Sequence, residues 1–180
     1  MAWTTPATAT AGSTALTAAF WNTQVRDNTN ELYGSIRRLG FQTRTTDYTI
    51  NTTSVASAAD VFSSDISFTA DGTSTYWIEG QVQGYTGYNV GEMIDVYLVN
   101  GSGTALNRVW FLAYNQVVNQ RLTGSGRFSI PYAPSAGTVT LNLRAIYNSA
   151  GGGAALQASA AGAGTTSPPM WLAVYGPNLT

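Results

Sequence analysis

Histidine, cysteine and lysine are absent from this chain of 180 residues. Without histidine or cysteine, the chain cannot form a Ser-His-Asp triad, a thiol nucleophile, a disulfide or a zinc site with histidine or cysteine ligands. The acidic residues lack the spacing of a calcium loop, and no glycine-rich phosphate loop follows a strand. We therefore expect neither a metal nor a cofactor.

Charge is also scarce. Charged residues make up 9% of the chain, against about 25% in typical soluble domains, and the net charge is −1. The eight arginines are scattered and form no basic stripe, so nucleic-acid binding is not expected. The surface must then consist mainly of uncharged polar residues and glycine. Such a surface is typical of a protein that packs against copies of itself or against other subunits.

Long hydrophobic runs are missing as well. The longest, residues 109–114 and 170–175, are far shorter than the roughly 20 residues that a membrane helix needs. The first six residues contain neither a positively charged start nor an apolar stretch of the kind found in secretory signals. We expect the protein to be made in a cytoplasm and not to insert into a membrane.

The N-terminal segment has the pattern of an arm followed by a helix. Residues 1–16 show no periodicity and contain Trp3 as the one large anchoring side chain. Thr17 is a suitable N-cap, residues 18–39 contain no proline, and Gly40 follows the basic pair Arg37-Arg38. Large apolar residues recur at helical spacing: Trp21, Val25, Leu32, Ile36 and Leu39. The pattern predicts one α-helix over residues 18–39 and an assembly or anchor segment over residues 1–40.

Within that helix, Asn28 falls on a heptad seam with Trp21, Val25 and Leu32. A polar residue in such a seam costs stability but sets register and oligomeric state, because its amide needs a partner on a neighbouring helix. Alternatively, the helix lies on its own domain, with Asn28 at the edge of the apolar stripe. Two heptads are too few to choose between these readings.

From Phe41 onward the hydrophobic period becomes two, and turn signals recur about every ten residues. This pattern predicts about eight strands and a mainly β domain over residues 41–180, an antiparallel sandwich or barrel. The runs at 109–114 and 170–175 are apolar on both strand faces, although only one face can meet the core. The helix or a loop could cover the other face. We favour a subunit interface that includes Trp110 and Trp171.

Few residues suggest ligand chemistry. Glu79 shares a strand face with Trp77, an arrangement found in some sugar sites. Glycoside hydrolysis would need a second carboxylate facing Glu79, and Glu92 is the one other glutamate in the β region. The glycine-flanked loop 84–89 presents Tyr85 and Tyr88, whose rings could stack on a sugar or pack on the domain's own end. We expect a protein that is not an enzyme.

The residues at 16–28 read Leu-Thr-Ala-Ala-Phe-Trp-Asn-Thr-Gln-Val-Arg-Asp-Asn and follow Trp-Thr-Thr-Pro at 3–6. They resemble the opening of many virion proteins of tailed phages and prophages of actinobacteria, which begin with a Thr-Ala-x-x-x-Asn-Thr-x-x-Arg-Asp-Asn stretch. The resemblance implies that Asn22, Arg26, Asp27 and Asn28 are assembly residues. Trp21 and the residue before it stand where that family has smaller aliphatic or polar side chains.

The last strand, Trp-Leu-Ala-Val-Tyr-Gly-Pro at 171–177, and the strand pattern before it resemble the trimeric jelly-roll heads of the C1q and tumour-necrosis-factor family. Together the resemblances imply a homotrimer on the exterior of a phage particle, made in the host cytoplasm, with other capsid or tail proteins as partners. A capsid decoration or head-fibre role is favoured. The alternative is a tail-fibre or tail-tip adhesin that binds a host surface glycan.

Overall fold

The structure is a computed structural model. It describes residues 37–82, 84–87, 93–113, 120–122, 126–147, 154–156 and 169–177, together with Asn22 and Val25. These residues form twelve strands and one 3₁₀ turn: β1 (Arg37–Arg44), β2 (Tyr48–Ile50), the 3₁₀ turn (Val55–Ser57), β3 (Ile66–Ala70), β4 (Tyr76–Val82), β5 (Tyr85–Gly87), β6 (Met93–Asn100), β7 (Ala105–Ala113), β8 (Gln120–Leu122), β9 (Gly126–Tyr132), β10 (Gly137–Tyr147), β11 (Ala154–Leu156) and β12 (Met170–Gly176).

The strands form three four-stranded sheets in which every pairing is antiparallel. The first sheet has the order β1-β12-β4-β9, and the second sheet has the order β3-β10-β6-β7. A small sheet has the order β2-β11-β5-β8. The predicted mainly β, antiparallel architecture is confirmed.

One hydrophobic core lies between the first and second sheets. Ile78 and Leu172 of the first sheet and Leu98 and Leu143 of the second belong to the same buried cluster and are fully buried. These residues occupy every second position of their strands, so the period-two pattern directs one face of each sheet inward. The core therefore has the sandwich arrangement of two sheets that share their inner faces.

The small sheet contributes its own apolar residues to this core. Tyr48, Ile50 and Leu156 are buried in the shared cluster. β1 leads into β2 and β4 leads into β5, so the small sheet lies at the end of the sandwich where β1 and β4 finish. It extends the core beyond the ends of the long strands.

The predicted α-helix over residues 18–39 is not confirmed, and the prediction is wrong for its last turn. Arg37–Arg44 is a strand, in which Arg37 pairs with Gly176 and Arg38 with Tyr175 of β12. The arginine pair and Leu39 suit a helix end locally, but pairing with a distant strand satisfies their backbone groups instead. Asn22 and Val25 have π-helical backbone. The rest of the predicted helix lies outside the described residues, and β1 crosses the predicted boundary at residue 40.

A buried asparagine holds the connection between β2 and β3 against β10. Asn142 is 2% exposed, and its Oδ1 accepts hydrogen bonds from the Phe62 and Leu143 amides at 3.1 and 2.8 Å. Its Nδ2 donates to the Phe62 carbonyl at 3.1 Å and to Asp65 Oδ1 at 2.8 Å. Because one side chain satisfies both polar groups of Phe62, the connection can pass beside β10 without a regular ladder.

Asn142→Ala should therefore destabilise the fold markedly. The substitution leaves buried amide and carbonyl groups without partners, at a cost of about 3 kcal/mol in the free energy of unfolding. Equilibrium unfolding in urea measures this loss. Asn107→Ala, at an exposed position of β7, is the matched control and should cost less than about 0.5 kcal/mol. Equal losses in the two variants would contradict the role given to Asn142.

Candidate binding and assembly face

The outer face of the first sheet is built by residues that alternate with the core positions. Across β4 and β12, Trp77 lies opposite Tyr175 and Gln81 lies opposite Trp171. On β1, Phe41 pairs with Ala173, which lies between those two positions of β12. Residues that pair directly share one side of a sheet, so these side chains form a continuous outer surface.

This surface is rich in aromatic rings, and we call Phe41, Trp77, Trp171 and Tyr175 the aromatic face. Phe41 is 44% exposed and Trp77 is 49% exposed, whereas Trp171 and Tyr175 are half-buried. The rings of Phe41 and Trp171 stack with their centroids 6.3 Å apart, and the Arg38 guanidinium lies 4.9 Å above the Phe41 ring. The face thus offers a large apolar area on one side of the sandwich.

The outer face of the second sheet differs, because it is largely covered over β6 and β10. Its outward side chains Asp95, Asn142 and Ile146 are 5%, 2% and 8% exposed. Part of the cover is the connection between β2 and β3. Arg144 binds this connection by donating hydrogen bonds to the Val55 carbonyl (3.1 Å) and to Asp60 Oδ1 (2.7 Å). The first sheet is therefore the one whose outer face is open.

A polar cleft borders the aromatic face between β4, β9 and β12. It has a volume of about 300 Å³ and is lined by Glu79, Gly80, Arg127, Phe128, Ser129 and Trp171. Arg127 Nε donates to Gln81 Oε1 at 2.8 Å, and Ser129 Oγ donates to Glu79 Oε1 at 3.5 Å. Gln81 is only 7% exposed, so the cleft combines an arginine held by a buried amide with a more accessible carboxylate.

Glycine at position 80 is required beneath this cleft. Gly80 pairs with Phe128 across β4 and β9, and a Cβ on Gly80 would lie 2.3 Å from the Phe128 ring. The ring therefore occupies the space that any other residue at position 80 would need. This packing brings β9 and its outward residues close to β4.

A second exposed apolar area lies along the edge of the second sheet. Phe111 of β7 is 57% exposed and Met93 of the neighbouring β6 is 38% exposed; they lie diagonally across the pairing of the two strands, and we call these two residues the edge patch. Leu106, which is also 38% exposed, lies towards the other end of β7. The Arg108 guanidinium lies 4.9 Å above the Phe111 ring and is bound to Asp95 Oδ1 at 3.3 Å. The edge patch and the aromatic face belong to different sheets and are separate surfaces.

The two ends of the sandwich have different structures. Arg37 pairs with Gly176 and Arg44 pairs with Met170, so the chain enters β1 at one end of the first sheet and crosses to the other. Around the end where residue 37 enters lie the turns at 71–75, 101–104 and 133–136. The small sheet occupies the opposite end. The start of β1 at Arg37 and the small sheet are therefore at opposite ends of the sandwich.

The turn at 71–75 is stabilised by an aspartate. Asp71 Oδ1 accepts hydrogen bonds from the amides of Thr73 and Ser74 at 2.9 and 2.7 Å, and the Ser74 hydroxyl donates to Oδ2. The hydrogen bonds from the Ser74 hydroxyl and amide and from the Thr73 amide lower the pKa of the Asp71 carboxyl from 3.8 to about 2. The turn is thus tightest when Asp71 is ionised.

The predicted assembly residues of the N-terminal segment are mostly not described. Asn22 is half-buried and Val25 is 38% exposed. The others lie outside the described residues: Trp21, Arg26, Asp27, Asn28 and Leu32. Their roles, and the heptad seam, stay predictions.

The two tryptophans predicted at an interface have different surroundings. Trp171 is on the aromatic face and lines the polar cleft. Trp110 is half-buried, packs against the core and covers Gly126, where a Cβ would lie 1.9 Å from its indole nitrogen. Packing against its own sandwich accounts for much of the apolar area of Trp110, whereas the outward position of Trp171 leaves its interface role open.

The predicted glycan residues are only partly described. Tyr85 begins β5 in the small sheet, but its side chain and the whole of Tyr88 lie outside the described residues, as does Glu92. Glu79 is half-buried in the polar cleft rather than on a solvated strand face.

Sequence reasoning missed Arg127, Ser129 and the exposed Phe41 and Phe111. The alternation in β9 shows that Arg127 and Ser129 share a strand face. Their place beside Gln81 and Glu79 depends on the pairing of β9 with β4, which no local pattern reveals.

In the described part of the chain, no group of three or more histidine, cysteine, aspartate or glutamate residues could hold a metal ion. No helix among the same residues is long and apolar enough to cross a membrane.

No protein-family model and no curated protein matches the chain. Similar solved structures include VP2 in a subviral particle of infectious bursal disease virus, at 17% identity and a TM-score of 0.39, covering 81% of this chain and 38% of that chain. The tripod from the baseplate of bacteriophage Tuc2009 is 15% identical, with a TM-score of 0.36, over 97% of this chain and 79% of that chain. Because these TM-scores are low, neither fold nor function is inferred from them.

Asp71→Ala should lower the melting temperature in a pH-dependent way. The folded-state pKa lies below the ordinary value, so stabilisation by the carboxylate is complete above about pH 4 and is lost as the pH falls towards about 2. The gap in melting temperature between wild type and Asp71→Ala should narrow over that range, as measured by thermal melts. Asp71→Asn keeps the Oδ1 acceptor without the charge, so its melting temperature at neutral pH should lie between those of the wild type and Asp71→Ala. A gap independent of pH would contradict this assignment.

Proposed function

We propose that this chain is a non-enzymatic structural protein on the exterior of a virus particle, in which an N-terminal anchor carries a projecting jelly-roll head. The observation that carries the proposal is the opposite placement of the N-terminal entry and the small sheet. A head attached at one pole presents the other pole to the surroundings. The resemblance of residues 16–28 to the opening of phage virion proteins supplies the anchor.

The strand order supports the jelly roll. Numbered in chain order, the eight strands of the two main sheets follow 1-8-3-6 in the first sheet and 2-7-4-5 in the second. Strands 1 and 8, 2 and 7, 3 and 6, and 4 and 5 are paired, as in one long antiparallel hairpin folded over on itself. Such a double wrap is the arrangement of an eight-stranded jelly roll with two Greek keys.

The exposed apolar surfaces support a homotrimer. The aromatic face and the edge patch lie on different sheets, so one copy can place its edge patch on the aromatic face of the next. A contact between two different surfaces propagates head to tail, and it closes into a three-fold ring when the rotation between neighbouring copies is 120°. The low charge content agrees with a surface that is partly buried between copies.

Within the particle, the role that we favour is that of a capsid decoration or head-fibre protein. The second candidate is a tail-fibre or tail-tip adhesin. It is favoured by the polar cleft, which a purely structural protein does not need. Binding of the purified chain to host cells would separate the adhesin from the decoration protein.

The full-length chain should have three times the 19.0 kDa chain mass in solution. Trp77→Ser and Phe111→Ser should each shift it towards the monomer, because losing one buried aromatic side chain costs about 2 kcal/mol, which is more than tenfold in Kd. Light scattering across a micromolar dilution series measures the mass. Thr69→Ser, an exposed change on β3 outside both surfaces, is the control and should leave the mass unchanged. A monomeric wild-type chain would refute the trimer.

Purified particles of the virus that encodes the chain should contain it. An antibody against the chain, visualised by electron microscopy, should label the outside of the particle. Label on the capsid would support the decoration or head-fibre role, and label on the tail would support the adhesin. Its absence from purified particles would contradict the virion proposal, whatever the oligomeric state.

A further inference from the structure

We propose that the polar cleft binds a neutral pyranose sugar. The cleft is a property of the single chain, so this inference stands whether or not the chain forms trimers, and it adds a ligand to the structural role above. It places a sugar site on the outer face of the first sheet, and the predicted site at Tyr85 and Tyr88 stays a prediction.

The wall of the cleft provides an aromatic platform. A pyranose ring has one or two apolar faces made of C–H groups, and these faces stack on indole rings. Trp171 is half-buried and stacked on Phe41 at 6.3 Å, so its orientation is set before a ligand arrives. A platform that is already held in place costs little side-chain entropy on binding.

The opposite side of the cleft provides planar polar groups. Sugar hydroxyls both donate and accept, and neighbouring hydroxyls match the paired atoms of a carboxylate or a guanidinium. Glu79 supplies acceptors, and Arg127 is held at Nε by the buried Gln81. Among the described residues, none accepts a hydrogen bond from the terminal nitrogens of Arg127, which leaves those donors for a ligand.

The charges and size of the cleft select the kind of sugar. One carboxylate and one guanidinium line it, so their charges balance and a neutral sugar is favoured over an acidic or phosphorylated one. The volume of about 300 Å³ is at the lower end of the range for small-molecule sites, about 300–1,000 Å³, and suits one or two sugar rings.

Binding rather than hydrolysis is the expected activity. Glu79 is the single carboxylate among the residues that line the cleft, and both common hydrolytic mechanisms use two. The cleft extends from β12 and β4, the central strands of the first sheet, to the edge strand β9. Its β9 side can stay open at the rim between neighbouring copies. A trimer would then raise a weak single-site affinity for a polymeric glycan through effective concentration.

Saturation-transfer NMR of the full-length chain with the methyl glycosides of glucose, galactose and mannose tests the proposal. At least one should bind, and titration should show a loss of affinity of about tenfold or more in Glu79→Gln and Arg127→Gln, which remove charged hydrogen-bonding groups. Glu79→Gln also keeps the size of the side chain. Ser129→Ala should weaken binding less. Ser67→Ala, an exposed serine on β3, is its matched control and should bind as wild type does.

Circular dichroism and light scattering of each variant keep folding and assembly separate from binding. Lost binding in a folded Glu79→Gln chain of wild-type mass would support the cleft. No binding of any neutral methyl glycoside, or binding unchanged in both Glu79→Gln and Arg127→Gln, would overturn the proposal. Tighter binding of methyl glucuronide than of methyl glucoside would overturn the preference for a neutral sugar. None of these outcomes depends on where the chain lies in a particle.

Discussion

The position of β12 between β1 and β4 is the constraint on which the rest of the structure depends. It pairs with both strands and so connects the last described strand of the chain to the first. Leu172 and Val174 point into the core, while Trp171 and Tyr175 alternate outward. One strand therefore seals the sandwich, supplies half of the aromatic face and forms a wall of the polar cleft. Its apolar character on both faces follows from these simultaneous roles.

The two main sheets divide the work of the fold. The second sheet uses Asn142 and Arg144 to bind the connection between β2 and β3, so its outer face over β6 and β10 is occupied by bonds within the chain. The first sheet leaves its outer face open, with Phe41 and Trp77 about half exposed. This asymmetry leaves one outer face occupied by contacts within the chain and the other with exposed aromatic side chains, which favours the second face for the proposed contacts with partners or ligands.

Local pattern and long-range pairing agreed for most strands and disagreed at one place. In β3 and the first four residues of β4, alternating burial matched the alternation of apolar residues, because each of these strands has one face on the core. At Arg37–Arg44 the local spacing favoured a helix, yet the segment is a strand. The hydrogen bonds to β12 decide the outcome there, since a helix ending at Leu39 would leave the edge of β12 without a partner over those residues.

The sequence by itself determined the mainly β class, the antiparallel sandwich and the outward position of Trp77, Glu79 and Gln81, because a period of two assigns side chains to faces within a strand. Tertiary structure alone decided which strands are neighbours. Arg127 reaches Gln81 across 46 positions of the chain, and Asn142 reaches Phe62 across 80. Such contacts arise from the wrapping of the whole chain, and the pattern of a single strand carries no information about which distant strand will lie beside it.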